Sequence, residues 1–331
     1  MEDDERALLW STIAEVTGNH DQWELVAALD RIGWPEMLAT VPEVAVPAVL
    51  EGQGRSGHWS AALHDVVASA LGVGERTTVL LPFPGERGTA VGDGSSIELR
   101  GLVLGGRVDC RHVVAAVCDS SRNQITALVT VEASEITTRK LAGLDPAIGA
   151  AEVTASTRVF TELASVDTPA DRWDRALADA RWAVSHQLVG LMEAAEAMAL
   201  AHALERRQFG RQIGSFQAVR HRLAETHVAV SAARAAAEAA GPTSHSITSD
   251  AADACFASMM AKLVGGRSAT KVIGHCQQVL AGIGYTTQHP FHRYMRRTVV
   301  LERILGDSSE LSEAVGILLA TRGEAPRLVN L

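Results

Sequence analysis

Glu205-Arg206-Arg207-Gln208-Phe209-Gly210-Arg211-Gln212-Ile213-Gly214-Ser215-Phe216-Gln217 joins two helical patterns. Arg206, Phe209 and Gly210 lie at the end of a long one, and Ser215, Phe216 and Gln217 open the next. A helix ending in a cationic side chain, a tight glycine turn and a new helix N-terminus bring several anion-binding elements together. Free backbone N–H groups and a guanidinium can then meet a diphosphate.

On either side of this stretch the helical signal is strong. Thr168-Pro169-Ala170-Asp171 is a capped start, with threonine as N-cap, proline at the first helical position and an acid in the first turn. From there to Phe209 the pattern predicts a helix of about 40 residues, roughly 60 Å long at 1.5 Å per residue. Ser215 to Ala240 is predicted as a second helix, stopped by Gly241-Pro242, and Ser249 to Leu280 as a third. His289-Pro290 precedes a fourth, and Asp307 to Glu310 reads as a capping box for a last helix to Thr321. Long helices on short connections predict an up-and-down bundle. At the end of the third helix stands Gln278-Val279-Leu280-Ala281-Gly282-Ile283-Gly284-Tyr285. Its glycines serve either as a helix C-cap or as a place where no Cβ keeps a ligand away.

Toward the N-terminus, Ala7 to Val16, Trp23 to Ile32 and His58 to Leu71 show apolar residues at helical spacing. Asn19 and Asp21 offer a cap, and Gly33-Trp34-Pro35 ends the first run. Between about residues 76 and 160 the period changes. Thr78 to Leu81, Ser96 to Leu104, Arg111 to Val117, Ile125 to Glu132 and Ile136 to Lys140 are β-rich and separated by Gly, Asp, Ser and Asn. Antiparallel strands with no helices between them suggest a small barrel or sandwich. The expected fold class is α+β. It comprises an N-terminal helical domain (1–75), a small central β-barrel or sandwich domain (76–160) and a C-terminal four-helix-type bundle (161–331).

Composition narrows the function classes. With 47% hydrophobic and 21% charged residues over 331 positions, the chain is not disordered and can bury a large core. A net charge of −9 and the lack of a basic stripe with interleaved aromatics argue against nucleic acid as partner. No uninterrupted apolar run approaches the roughly 20 residues of a membrane helix. Met1-Glu2-Asp3-Asp4-Glu5-Arg6 is unlike a secretory or mitochondrial signal, so the expected location is the cytoplasm. Cys110, Cys118, Cys255 and Cys276 fit neither a zinc site nor a disulfide framework, and burial as small apolar groups is expected of each. No metal is expected.

The first quoted stretch closely resembles the R-x-x-F-G-x-x-I-x-x-F-Q signature of the acyl-CoA dehydrogenase family, and Gln278 to Tyr285 resembles its Q-x-x-G-G-x-G-(F/Y) segment. The order of helices, β-domain and bundle is also similar. The resemblance implies an FAD site in which these motifs hold the diphosphate and adenylate half across a subunit interface. It assigns Arg206 to the diphosphate and Gln217 and Gln278 to the adenylate half. Phe209 and Phe216 would pack there, and Gly282 would allow close backbone approach. Ala281 departs from the pattern, standing where the first glycine of the pair is usual.

The same resemblance exposes a loss. The family removes a proton α to a thioester, for which it needs a carboxylate base. That base is usually the Glu of a Glu-Gly-Thr turn following an Arg-Asp pair. Arg297-Thr298 takes the place of the pair, and Gly306, nine residues after Arg297, falls where the Glu belongs. In a minority of members the base lies on the first long bundle helix; that position is Ala180 here, beside Asp179. Neither glycine nor alanine accepts a proton. Asp307 is the nearest substitute, although its capping-box context points to a helix cap. The segments Leu80 to Gly88 and Gly105 to Asp109 likewise lack the family's flavin-side motifs.

Adenylate-side signals without flavin-side and base signals resemble the short, base-less subunit of the heteromeric acyl-CoA dehydrogenases of actinobacterial steroid degradation. This implies a heterotetramer with a larger subunit that carries the catalytic Glu and flavin pocket. It also implies an acyl-CoA substrate in the partner's site and an electron-transfer acceptor. Two other readings stand beside it: a self-sufficient homotetrameric enzyme with Asp307 as base, and a helical scaffold without flavin.

Overall fold

A computed structural model describes residues 3–19, 22–74, 77–92, 95–105, 110–119, 124–164, 166–241 and 251–326. Asp21, Gly106 to Asp109, Pro242 and Ser249, which entered the sequence reading, lie outside these residues.

The chain begins with helices α1 (Asp3–Asn19), α2 (Gln22–Arg31), α3 (Trp34–Thr40), α4 (Pro42–Ser56) and α5 (Ala62–Ala70). Sequence periodicity anticipated α1, α2 and α5 but not α3 or α4. Gly33 caps α3 in the left-handed region at φ 80°, and prolines stand in the first turns of both α3 and α4. α4 also carries Pro47, Gly52 and Gly54, all breakers of the local pattern. Tertiary packing explains the glycines. A Cβ on Gly54 would lie 2.3 Å from the Gln187 carbonyl oxygen, and one on Gly190 would lie 2.1 Å from that of Glu51. Two backbones therefore cross in contact.

Strands β1 (Thr77–Val79), β2 (Ala90–Gly92), β3 (Ile97–Val103), β4 (His112–Asp119), β5 (Gln124–Glu132), β6 (Thr137–Lys140), β7 (Ala151–Thr157) and β8 (Thr161–Glu162) follow. They form one sheet in the order β6-β7-β3-β2-β4-β5-β8, with β1 alongside β4. The end strands do not meet, so the sheet is open and sandwich-like rather than the closed barrel that was one expectation. β4 pairs in parallel with β1 and β2, a departure from the all-antiparallel expectation. Both of its faces are buried: Val113, Ala115 and Val117 join one apolar cluster, while Val114, Ala116 and Cys118 join the cluster that continues into the helices. That larger cluster also includes Ile13, Leu25, Trp59, Trp173 and Leu188, so one core runs through all three parts of the chain.

The bundle is built from α6 (Pro169–Glu205), a short hairpin β9 (Arg207–Gln208) and β10 (Arg211–Gln212), then α7 (Gln217–Ala240), α8 (Ala251–Leu280), α9 (Phe291–Arg303) and α10 (Ser308–Arg322). Thr168 caps α6 as expected, its hydroxyl accepting from the Asp171 N–H at 3.1 Å. At 37 residues α6 is roughly 55 Å long. It ends at Glu205 and not at Phe209. Phe209 (φ 51°) and Gly210 (φ 79°) both adopt left-handed backbone, which turns the chain into the hairpin.

A buried charge network fixes the crossing of α4, α6 and α7. Glu51, 1% exposed, meets His186 Nδ1 at 2.9 Å, Arg55 Nη2 at 2.7 Å and Arg234 Nη2 at 3.1 Å. Burial alone would raise the Glu51 carboxyl, but the His186 hydrogen bond and charge, with Arg234, outweigh it and hold the carboxyl below the usual range. Arg297 is equally internal. It is ion-paired with Asp145, donates from Nη1 to the His58 carbonyl oxygen at 3.1 Å and lies 5.4 Å from the Trp59 ring. It ties α9 to the connection between β6 and β7 and to the segment that follows α4.

Candidate functional site

Two sites emerge, one at an end of the bundle and one in a cleft. At the end of the bundle, Arg206 is the residue that closes α6. It is exposed, and among the described residues its guanidinium has no carboxylate partner. Its carbonyl oxygen accepts from the Ile213 N–H at 2.8 Å, which closes the hairpin and returns the chain toward α7. Phe216 is the N-cap residue of α7 and supplies no side-chain cap; the first turn of α7 has no acid. The leading N–H groups of a 24-residue helix are thus open to an anion. Gln217, in the first turn, is exposed, and Phe209 is 90% exposed at the hairpin tip. The two rings meet edge to face with centroids 6.1 Å apart.

The second motif lies at the same end. α8 ends at Leu280 and runs into a 3-10 turn over Ala281–Tyr285. Gln278 is exposed on the last turn of α8. A Cβ on Gly282 would meet nothing within 4 Å, so that backbone is open to close approach. Ala281 takes the left-handed region at φ 52°, a conformation natural to glycine and strained for alanine. Gln277, next to Gln278, is buried, and its Oε1 has no hydrogen-bond partner among the described residues. Burial, Arg206 and then His289 all lower the pKa of His202 on α6. Exposed amides, an open glycine turn, an uncapped helix start and an unpaired arginine fit a nucleotide diphosphate in donor chemistry and in access.

The cleft, about 620 Å³, opens between the segment after β1, the start of α6, α8 and the turn from α9 to α10. Phe83, Gly85, Glu86 and Arg87 line it on one side and Leu305, Gly306 and Arg181 on the other. The structure therefore brings together the two segments found wanting in sequence. Trp173 Nε1 donates to the Arg87 carbonyl oxygen at 2.9 Å, holding the loop to α6. Gly306 stands at φ 101°, and a Cβ there would lie 2.9 Å from a Leu311 methyl. Ala180 is fully buried within α6. Asp307 caps α10: one oxygen accepts from Ser309 N–H and Glu310 N–H, the other from Arg303 Nη1 at 2.8 Å. The N–H of Glu310, the N–H of Ser309 and the Arg303 charge outweigh burial and hold the Asp307 carboxyl below its usual range. Asp307 does not line the cleft.

Every carboxylate lining the cleft is engaged. Asp174 pairs with Arg87 at 3.2 Å and Glu86 with Arg100 at 2.6 Å. Asp171 accepts from the Thr168 hydroxyl at 2.7 Å, and Glu310 accepts from the Asp307 N–H at 3.1 Å.

Sequence reasoning missed the two cations that fix this turn. Arg181 Nε donates to the Leu305 carbonyl oxygen at 2.9 Å. Lys262, 1% exposed, donates from Nζ to the carbonyl oxygens of Glu302 at 2.9 Å and Gly306 at 3.2 Å, and burial pushes it down to about 8. The available signal was a lone lysine inside the apolar run Phe256 to Leu263. Among the described residues the cysteines form no disulfide; Cys118 and Cys276 are buried and Cys110 and Cys255 only partly so. Among the described residues no cluster of His, Cys, Asp or Glu could hold a metal, and no helix is long and apolar enough to cross a membrane.

Residues 171–314 match the family described as Acyl-CoA dehydrogenase, C-terminal domain. One relative, acyl-CoA dehydrogenase IpdE2 of Mycobacterium tuberculosis, is 31% identical over 147 residues, 43% of this chain and 42% of that protein. The matched parts span less than half the length of this relative and of FadE34 from the same organism. Across nearly its whole length the fold is that of a steroid ACAD, Tcur3481–Tcur3483 (TM-score 0.79, 21% identity, 97% of this chain and 99% of that one). The ChsE4–ChsE5 complex of M. tuberculosis is similar in the same way (TM-score 0.78, 22% identity, 97% and 98%). Acyl-CoA dehydrogenases are FAD-dependent flavoproteins.

Proposed function

We propose that this chain, whose residues 171–314 match the acyl-CoA dehydrogenase C-terminal domain and whose fold is similar to that of a steroid ACAD, is the non-catalytic subunit of a heteromeric FAD-dependent acyl-CoA dehydrogenase. It supplies the adenylate and diphosphate half of the FAD site to a larger partner that carries the flavin pocket and the catalytic Glu. Arg206 holds the diphosphate. Gln217 and Gln278 bond the adenylate half, Phe209 and Phe216 pack against it, and Ala281 and Gly282 let it approach. When bound, FAD supplies the hydride acceptor for α,β-dehydrogenation of the acyl-CoA thioester.

The observation that carries this reading is a split between the two sites. The bundle end presents its donors exposed and unpaired, whereas the cleft offers Gly306 where a base would stand and carboxylates already engaged. Asp307 as base is disfavoured because both of its oxygens serve the cap and Arg303. A flavin-free scaffold has no use for an unpaired Arg206 beside an uncapped helix. Likeness to ChsE4–ChsE5 and to the Tcur3481–Tcur3483 steroid ACAD supports assembly with a second chain; the reading makes that assembly a heterotetramer and places it in the cytoplasm. A bulky, steroid-derived acyl group is the substrate class, and an electron-transfer acceptor reoxidises the flavin.

The test is Arg206→Ala in the purified complex. Flavin absorbance per complex should fall several-fold while the two chains stay associated. Full flavin occupancy would contradict the role of Arg206.

A further inference from the structure

Resting on the adenylate-side reading, we propose that Arg211 is a second cation of the diphosphate site, held in place by Phe216. Arg211 opens β10, directly after the Gly210 turn. Its guanidinium carbon lies 4.1 Å from the centroid of the Phe216 ring, and Phe216 in turn meets Phe209 edge to face. The three side chains form one tier: an exposed ring at the hairpin tip, the ring that opens α7, and a guanidinium laid on the second ring.

What this cation lacks is as informative as what it touches. Among the described residues Arg211 has no carboxylate within ion-pair distance, although the chain as a whole is acidic. Its neighbour Arg207 turns back and donates from Nη2 to the Gly210 carbonyl oxygen at 3.2 Å. Arg211 instead rests on the N-cap residue of a helix whose first turn carries no acid. A cation beside a positive helix end, with Arg206 across the same hairpin, is an arrangement that an anion stabilises. A diphosphate brings two negative charges, and Arg206 alone matches one. Stacking fixes the plane of the guanidinium and leaves its edge N–H groups free for a paired contact with phosphate oxygens, which a lysine ammonium cannot reproduce.

The experiment uses the intact two-chain complex after removal of flavin, titrated with FAD, ADP and adenosine by calorimetry. Arg211→Gln should weaken FAD and ADP by a similar factor, at least about tenfold, and leave adenosine unchanged. Arg211→Lys should fall between wild type and Gln. A thermal melt within a degree or two of wild type keeps the comparison free of folding effects. If Arg211→Gln lowers the melting temperature and leaves ADP affinity intact, the stack is structural only and the proposal is wrong. Loss of FAD in Arg206→Ala with none in Arg211→Gln removes Arg211 and keeps the site. Unchanged FAD affinity in both variants removes the adenylate-side reading itself.

Discussion

Arg181 Nε lies 2.9 Å from the carbonyl oxygen of Leu305, so a cation on α6 holds the turn at which an acyl-CoA dehydrogenase would carry its base. Lys262 grips the same turn from α8 through the carbonyl oxygens of Glu302 and Gly306. The backbone between them is left-handed at Leu305 (φ 61°) and Gly306. The turn is therefore a fixed structural element here, and a side chain at 306 has neither the conformation nor the room.

Gly306→Glu should not install a base. Left-handed backbone at a non-glycine residue costs about 1–3 kcal/mol, and a Leu311 methyl must also move. The expected result is a lower melting temperature, with no acyl-CoA dehydrogenation by this chain alone when assayed with an artificial electron acceptor.

Asp307→Asn should leave the activity of the assembled complex unchanged, since asparagine also caps helices. Asp307→Ala should cost about 1 kcal/mol in urea unfolding through loss of the cap. A drop in turnover with Asn, without loss of stability, would bring Asp307 back as a base.

The α4–α6 crossing should tolerate no added methyl group. Gly190→Ala places a Cβ against the Glu51 backbone and should cost about 3 kcal/mol, the upper end of the usual range for overpacking. Gly274→Ala on α8 meets nothing within 4 Å and should stabilise by up to about 1 kcal/mol. Urea midpoints of the two variants should move in opposite directions.

Stability should decline below neutral pH because of His64. Its Nε2 accepts from the Leu104 N–H at 2.9 Å and its Nδ1 donates to the Val79 carbonyl oxygen at 2.9 Å, which fixes the neutral ring. Burial pushes its pKa down to about 4. Between an unfolded value of about 6.5 and the folded value, only the unfolded chain binds this proton. Stability therefore falls as pH drops through that window, by about 3 kcal/mol in all, and this contribution levels off below pH 4. Replacing His64 with Gln should flatten that part of a urea-midpoint profile against pH.

The bundle was legible because its signals are local. The Thr168 cap, the Asp307–Glu310 capping box and the 3.6-residue apolar spacing of the long helices each act within a turn or two. α4 was not legible: its prolines and glycines break the local pattern, and only contact with Gln187 and Gly190 on α6 explains them. β7 was missed because its small and polar residues give no apolar alternation. Its Glu152 is held by Arg100 at 2.9 Å and by Arg139, partners that only the folded sheet supplies. The long helix was read on to Phe209, across the first strand of the hairpin, because the left-handed backbone of Phe209 leaves no trace in composition. In the candidate site, the bundle-end residues could be read from their motif. Arg181 could not, since its partner is a backbone carbonyl far along the chain, and Lys262 left only its place in an apolar run as a signal.

Native mass spectrometry of this chain, tagged and purified from its own host, tests the central claim most directly. The account predicts a species with a second, larger acyl-CoA-dehydrogenase-like chain and one FAD per pair of unlike chains. A homotetramer of this chain alone with one FAD per subunit would contradict it.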